Sequence, residues 1–265
     1  MNVYGTDQIR NVVVLGHGGS GKTTMVEAMA YVTGVTKRLG KVSDGTTISD
    51  FDKEEQKRHF SISTSVVPVE YDGIKINLLD TPGYFDFVGE AEEACSAAGA
   101  AIIVINGKSG VEVGTKKAWD LCEKYNLPRM FFVTNMDDDQ ASFRKIVMEL
   151  NDLYGRKVAP FHVPIRENEK FVGFVNVVKM KGRRFVGSTS EYEECEIPDY
   201  MDKHLTISRD SLIEAVAETS EEFMERYFSG EEFTYEEIST ALREHVMDNQ
   251  VVPVLVGSGV NAQGM

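Results

Sequence analysis

The chain has 265 residues, with 42 Asp plus Glu against 28 Lys plus Arg, for a formal net charge of −14. Its 42% hydrophobic and 26% charged content is that of an ordinary globular protein with a real core, which excludes a disordered tail. The acidity excludes a general coat for nucleic acid, so no independent DNA binding is expected, while local contacts to RNA stay open.

Strand-like and helical patterns alternate through the first half. Residues 11–15 (NVVVL) predict a strand that breaks into a glycine cluster and then a helix, TTMVEAMAYV. Strands follow at 64–71 and 74–80, joined by the turn Asp72-Gly73, and at 100–106. A helix is expected over 113–126, a strand over 129–134, and a helix from about Gln140 to Leu153. From about 158 the texture changes. FVGFVNVVKM and GRRFVG predict short strands, SEYEECEIPDY an acidic linker, and 208–228 and 234–247 two helices, before a buried strand at 251–257. Apolar runs separated by helices imply an α/β fold, a mostly parallel sheet with helices on both faces. One domain, 1–157 and 251–265, is interrupted by an α/β insert at 158–250. Chemistry is expected in the loops after Leu15, Leu79, Ile105 and Val133, at the carboxyl ends of the strands.

Cys95, Cys122 and Cys195 stand far apart with no C-x-x-C pair, which fits a reducing compartment. His17, His59, His162, His204 and His245 show no metal-ligand spacing. The N-terminus has no apolar signal core, and the longest apolar run is AAIIVI, so a cytoplasmic location without membrane contact is expected.

Gly16-His17-Gly18-Gly19-Ser20-Gly21-Lys22-Thr23 satisfies G-x-x-x-x-G-K-[ST] directly after a strand and opens a helix. Such a P-loop curls backbone N–H groups around a phosphate, and the helix N-terminus adds partial positive charge. Lys22 would neutralise the β/γ oxygens and the Thr23 hydroxyl would bind Mg²⁺, with Thr24 beside it at the same site. Asp80-Thr81-Pro82-Gly83 matches D-x-x-G at the end of a strand. Asp80 can hold a Mg²⁺-bound water, and the Gly83 N–H can reach the γ-phosphate and report its loss. After the strand RMFFV comes Thr134-Asn135-Met136-Asp137-Asp138, where guanine-specific enzymes have N-K-x-D. Asp137, preferred over Asp138, would accept two hydrogen bonds from guanine that adenine cannot donate. Thr134 and Asn135 replace the usual Asn and Lys, which removes apolar cover from one face of the base. The plain alternatives are an ordinary turn at Asp80 and an acidic loop or helix cap at Asp137.

GHGGSGKTT, DGTTISDF…RHFSI, DTPGYFDF, PRMFFVTNMD and VLVGSG together resemble the elongation factor G family along essentially the whole chain. The likeness includes the insert, where FVGFVNVVKMKGRRF and AETSEEFMERYFSGEE look like the subdomain carried inside that family's GTP-binding domain. The resemblance implies a ribosome-dependent GTPase that binds GTP/GDP and Mg²⁺, couples hydrolysis to translocation and works as a monomer. It implies that Ser61 meets Mg²⁺ and the γ-phosphate from switch I, and that Gly257, Ser258 and Gly259 contact the guanine O6. Lys22, Gly83 and Tyr84 are then the catalytic candidates, and Thr23, Ser61 and Asp80 the metal set. Three positions depart from the family. Tyr84 stands where His orients the attacking water; a phenol is no base at neutral pH, but it can hydrogen-bond water or merely pack. Gly19 replaces an Asp, and the base motif is altered. The family continues beyond the GSG element with a helix and four domains, so an excised GTP-binding domain is expected. In the family the insert faces the stalk protein of the large ribosomal subunit; here residues 160–250 hold 20 acidic against 10 basic side chains. Alternatives are a nucleotide switch with little hydrolysis, a ribosomal-protection or release-factor-type GTPase, a non-guanine P-loop ATPase or kinase, and, for the insert, merely solvated helix faces.

Overall fold

The computed structural model describes residues 3–187 and 190–265. The chain runs β1 (Ile9–Gly16), α1 (Lys22–Val32), α2 (Lys53–Arg58), β2 (Ser65–Tyr71), β3 (Ile74–Asp80), α3 (Val88–Ala97), β4 (Ala100–Asn106), α4 (Val113–Lys124), β5 (Arg129–Thr134) and α5 (Phe143–Tyr154). It continues through β6 (Val158–Pro160), β7 (His162–Glu167), β8 (Lys170–Asn176), β9 (Lys181–Phe185), β10 (Tyr192–Cys195), α6 (Asp202–Ala217), α7 (Glu221–Ser229), α8 (Tyr235–His245) and β11 (Val252–Val256).

Among the described residues the strands form a seven-stranded sheet, ordered β2-β3-β1-β4-β5-β11-β6, and a four-stranded sheet, β10-β9-β8-β7. The large sheet is parallel apart from β2, which hairpins onto β3. The smaller sheet is antiparallel throughout. Side-chain alternation divides the core. Val14, Ile102, Val104 and Phe132 pack with Met25 and Val26 of α1 on one face. Val13, Leu15, Ile103, Ile105, Phe131 and Val133 point to the other, under α3, α4 and α5. Both faces are covered, so the strands read as continuous apolar runs.

Three local expectations are corrected. Val158–Pro160 pair with β11 in the large sheet, so the domain reaches past the expected junction after 157. The acidic stretch 190–200 is no linker, because Tyr192–Cys195 pair with β9, with Glu194 against Arg183 in the register and Lys181 bonded to Glu194 at 2.8 Å. The helix expected over 208–228 begins at Asp202 and breaks after Ala217, where the Ser220 side chain caps a second helix. No helix among the described residues is long and apolar enough to cross a membrane.

Candidate functional site

β1, β3, β4 and β5 all end on one side of the large sheet, and the loops leaving them meet there. Gly16 closes β1 at φ +145°, and a Cβ at that position would strike the Val104 carbonyl of the adjacent strand. Gly21, at φ +93°, starts α1 in a conformation that disfavours a side chain. The loop therefore wraps tightly enough for Lys22 Nζ to donate back to the carbonyls of Gly16 (3.1 Å) and His17 (2.9 Å). His17 itself leans toward Glu112, Nε2 to Oε1 3.5 Å. The Ser20 carbonyl accepts the Thr134 hydroxyl at 2.6 Å, which ties the loop to the end of β5.

Asp80 ends β3 beneath this loop. Neither of its carboxylate oxygens has a hydrogen-bond partner among the described residues, although the side chain is 1% exposed. Burial raises its pKa to about 6; the nearby hydroxyls of Ser49 and Thr23 and the charge of Lys22 oppose the rise, and Asp50 adds to it. Burial likewise lowers Lys22 to about 8, against the pull of Asp80 and Glu112. Two buried opposite charges thus face each other with unused bonding capacity, a common property of functional sites.

Ser61 completes the arrangement from 38 residues away. Its Oγ lies 3.1 Å from Thr23 Oγ1 and donates to Asp50 Oδ1 at 2.7 Å. Asp50 is 2% exposed, and burial raises its pKa too. Thr23, Ser61, Asp50 and Asp80 form an all-oxygen donor set, with the bare oxygens of Asp80 at its base. That chemistry suits a hard divalent cation such as Mg²⁺ that keeps some of its waters.

Gly83 presses onto the glycine loop: a Cβ there would lie 2.7 Å from Gly18 N and collide with Lys22 Nζ. The Tyr84 ring covers Gly18, 3.3 Å from where a Cβ would stand, and meets the edge of Phe60 at 4.8 Å between centroids. Gly18, Gly19, Lys22, Thr23, Ser61 and Gly83 share a cavity of about 240 Å³ with Tyr84 and His59 at its mouth.

A second group collects beside this cavity. Asn135 turns the chain at φ +54° after β5. Asp138 is occupied locally, accepting from Gln140 N at 2.9 Å and standing 3.6 Å from Lys108 Nζ. Asp137 is exposed and has no partner among the described residues. Gly257 N donates to Val133 O at 3.0 Å, its carbonyl accepts from Met136 N at 3.3 Å, and Gly259 lies against Thr24. Residues 257–259 therefore join the Thr134–Asp137 loop to the start of α1, with Ser258 fully buried.

Every site residue expected from the sequence lies in one of these two adjoining groups. Ser49 and Asp50 stand in the stretch DGTTISDF without a pattern that gives either a role, and Glu27 is a single acid within α1. Each is buried and polar, but nothing near them in the chain marks the long-range partners that make them matter.

The family model for the elongation factor Tu GTP binding domain matches residues 7–265. Over 260 residues the chain is 35% identical to elongation factor G of Thermotoga neapolitana and, equally, of Thermotoga petrophila, spanning 98% of this chain and 37% of each relative. A crystal structure of a Thermus thermophilus protein superposes with a TM-score of 0.88 at 37% identity, covering 97% of this chain and 38% of that one. The chain thus spans a little over a third of the length of the relatives it matches.

Proposed function

Because the chain belongs to the elongation factor Tu GTP binding domain family, we propose that the first group of residues holds the phosphates and Mg²⁺ of GTP or GDP and the second reads the guanine. The reading rests above all on Lys22, Thr23, Ser61 and Gly83 converging on one cavity of about 240 Å³, with the buried Asp80 carboxylate beside Thr23 and Lys22. Residues 16–21 offer backbone N–H groups, and Lys22 offers its charge. Thr23 and Ser61 supply oxygens to Mg²⁺, with Asp80 and Asp50 holding its waters. When bound, the ion neutralises charge that develops on the phosphates. Asp137, free of local partners, accepts from the guanine N1 and N2 groups, while residues 257–259 face O6. Thr134 braces the glycine loop in place of the usual Asn.

Hydrolysis would consist mainly of positioning and electrostatics, with Tyr84 holding the attacking water through its hydroxyl. A second reading, a nucleotide switch with little hydrolysis, is favoured by the packing of the Tyr84 ring between Gly18 and Phe60. Tyr84→Phe separates the two. It keeps the packing, so a loss of tenfold or more in the single-turnover rate supports the water role, whereas a parent rate no faster than that of Lys22→Ala supports the switch.

We place the insert at 161–250, after β6, and assign its acidic surface to a basic partner on the large ribosomal subunit, the stalk protein. The longer protein would couple hydrolysis to translocation on the ribosome in the cytoplasm, with the chain acting as a monomer. Competition titration tests the base assignment. GTP and GDP should displace a labelled guanine nucleotide at far lower concentration than ATP, and Asp137→Asn should shift preference toward xanthine nucleotides, whose C2 carbonyl accepts from the new amide. Equal displacement by ATP would overturn the guanine assignment. Ribosome dependence is tested by turnover of the full-length protein with and without ribosomes, against a Lys22→Ala control.

A further inference from the structure

α5 and α6 both pack on β6 and leave a trough between them, floored by Val163 and Pro164 of β7. The trough encloses about 590 Å³ and continues, past Asn151 and Ser211, into a second hollow of about 230 Å³. Its walls are apolar and open to solvent: Met148 is 56% exposed and Ile207 48% exposed. An apolar groove between two helices is a shape that can receive the apolar face of a third.

The charge around the main trough is the reverse of its surroundings. Residues 160–250 carry twice as many acidic as basic side chains, yet no Asp or Glu lines the main trough, whereas Arg144 and Arg166 do; Glu214 stands in the smaller hollow beyond it. Arg144 has no hydrogen-bond or ion-pair partner among the described residues. Arg166 is held by three neutral carbonyls, those of Ala141 (3.2 Å), Asp138 (2.7 Å) and Glu169 (2.6 Å), so its charge is fixed in place without being neutralised. Between the two hollows, Asn151 Oδ1 is buried with no donor to satisfy it. The trough therefore offers an apolar floor, a cationic rim and a waiting acceptor.

We propose that the α5–α6 trough is a docking site for an amphipathic, acidic α-helix of a partner protein, with its apolar face on Val147, Met148, Val163 and Ile207 and its carboxylates toward Arg144 and Arg166. The positions that α6 lends to the trough, from His204 to Ser211, span about 10 Å at 1.5 Å per residue, two turns of a third helix, and Tyr200 extends the trough before them. The docked helix would complete a layer that the two existing helices leave open. The trough shares no lining residue with the phosphate cavity, although Arg166 bonds the Asp138 carbonyl beside Asp137, and its test is run without nucleotide.

The test uses the full chain and a fluorescent 15-residue peptide with Leu at i, i+3, i+4 and i+7 positions and Glu on the flanks, alongside a control with Lys replacing every Glu. By anisotropy the acidic peptide should bind saturably and at least about tenfold more tightly than the Lys peptide, one tenfold step corresponding to about 1.4 kcal/mol. Arg144→Glu should erase most of that difference, and Met148→Asp should weaken both peptides; both positions are exposed, so the fold should survive. Equal affinity for the two peptides, or no saturable binding at millimolar concentration, overturns the proposal. Concentration-dependent dimerisation abolished by Met148→Asp would also overturn it, by assigning the trough to a second copy of the chain.

Discussion

Asp80 illustrates what a site of this kind costs its fold. Burial lifts its pKa from 3.8 to about 6, in spite of the attraction of Lys22. Between those two pH values the folded chain keeps a proton that the unfolded chain has released, so stability falls as pH rises through the window. The shift amounts to about 3 kcal/mol, present below pH 4 and lost above pH 6. Asp80→Asn imitates the protonated acid. It should melt several degrees higher than the parent at pH 7 without nucleotide or Mg²⁺, with the gap closing toward pH 4, while Mg²⁺-dependent nucleotide binding is lost. A variant that melts lower at pH 7 would show that the carboxylate stabilises the empty site. At this scale the sequence was most informative where the chemistry is contiguous. The eight residues of the glycine loop carry their own pattern, and Asp80 ends a strand beneath it. Asp50 was invisible because its partner Ser61 lies eleven residues away and acquires meaning only beside Thr23.

The segment between α1 and β2 is the element whose order the site depends on, and three buried or half-buried carboxylates fasten it. Glu27 Oε1 accepts from Gly40 N at 2.8 Å and its Oε2 from Ile48 N at 2.6 Å. Glu55 accepts from Ile62 N and Ser63 N, and Glu90 from Thr64 N. These bonds bring Asp50 and Ser61 to Thr23. Glu27→Gln turns one acceptor into a donor facing an N–H, at a cost of about 1–3 kcal/mol. Trypsin should then cut after the exposed Lys37, Arg38 or Lys41 at least about tenfold faster, while Trp119 emission stays native. Unchanged digestion kinetics would remove Glu27 from this role. Element reading from sequence failed for physical reasons. Glu55 sits in a helix of six residues, too short to show a period. Tyr192–Cys195 is an edge strand whose solvated glutamates imitate a linker. Around 218–220 an apolar helical stripe continues across a break that only the Ser220 cap reveals. Long, buried elements such as β4 and β5 carry an apolar run that needs no partner to be recognised.

At the scale of the molecule the insert is not an appendage. One continuous core joins Phe131 and Val254 of the large sheet to Phe174 of the small sheet and to Leu212 and Ile238 of the insert's helices. β6 and α6 form the seam, with α6 packed directly on the last strand of the large sheet. Shared burial couples the two parts, so they should unfold in one transition. The sole tryptophan, Trp119 of α4, stacks on Tyr154 at 3.9 Å and on Phe131 at 5.7 Å, so its emission reads the large-sheet side of the shared core. Leu212 is fully buried, and its truncation to Ala should cost about 2–5 kcal/mol through lost transfer energy and the cavity left behind. In a urea titration of Leu212→Ala, the midpoint read by Trp119 fluorescence should fall together with the midpoint read by far-ultraviolet circular dichroism. If the fluorescence midpoint stays at the parent value while the dichroism curve splits in two, the insert unfolds independently. A signal received at the insert would then have no thermodynamic route through the shared core to the nucleotide site. Coincident midpoints mean that anything binding the insert stabilises the sheet carrying the glycine loop, because ligation of one part of a cooperative unit shifts the equilibrium of the whole.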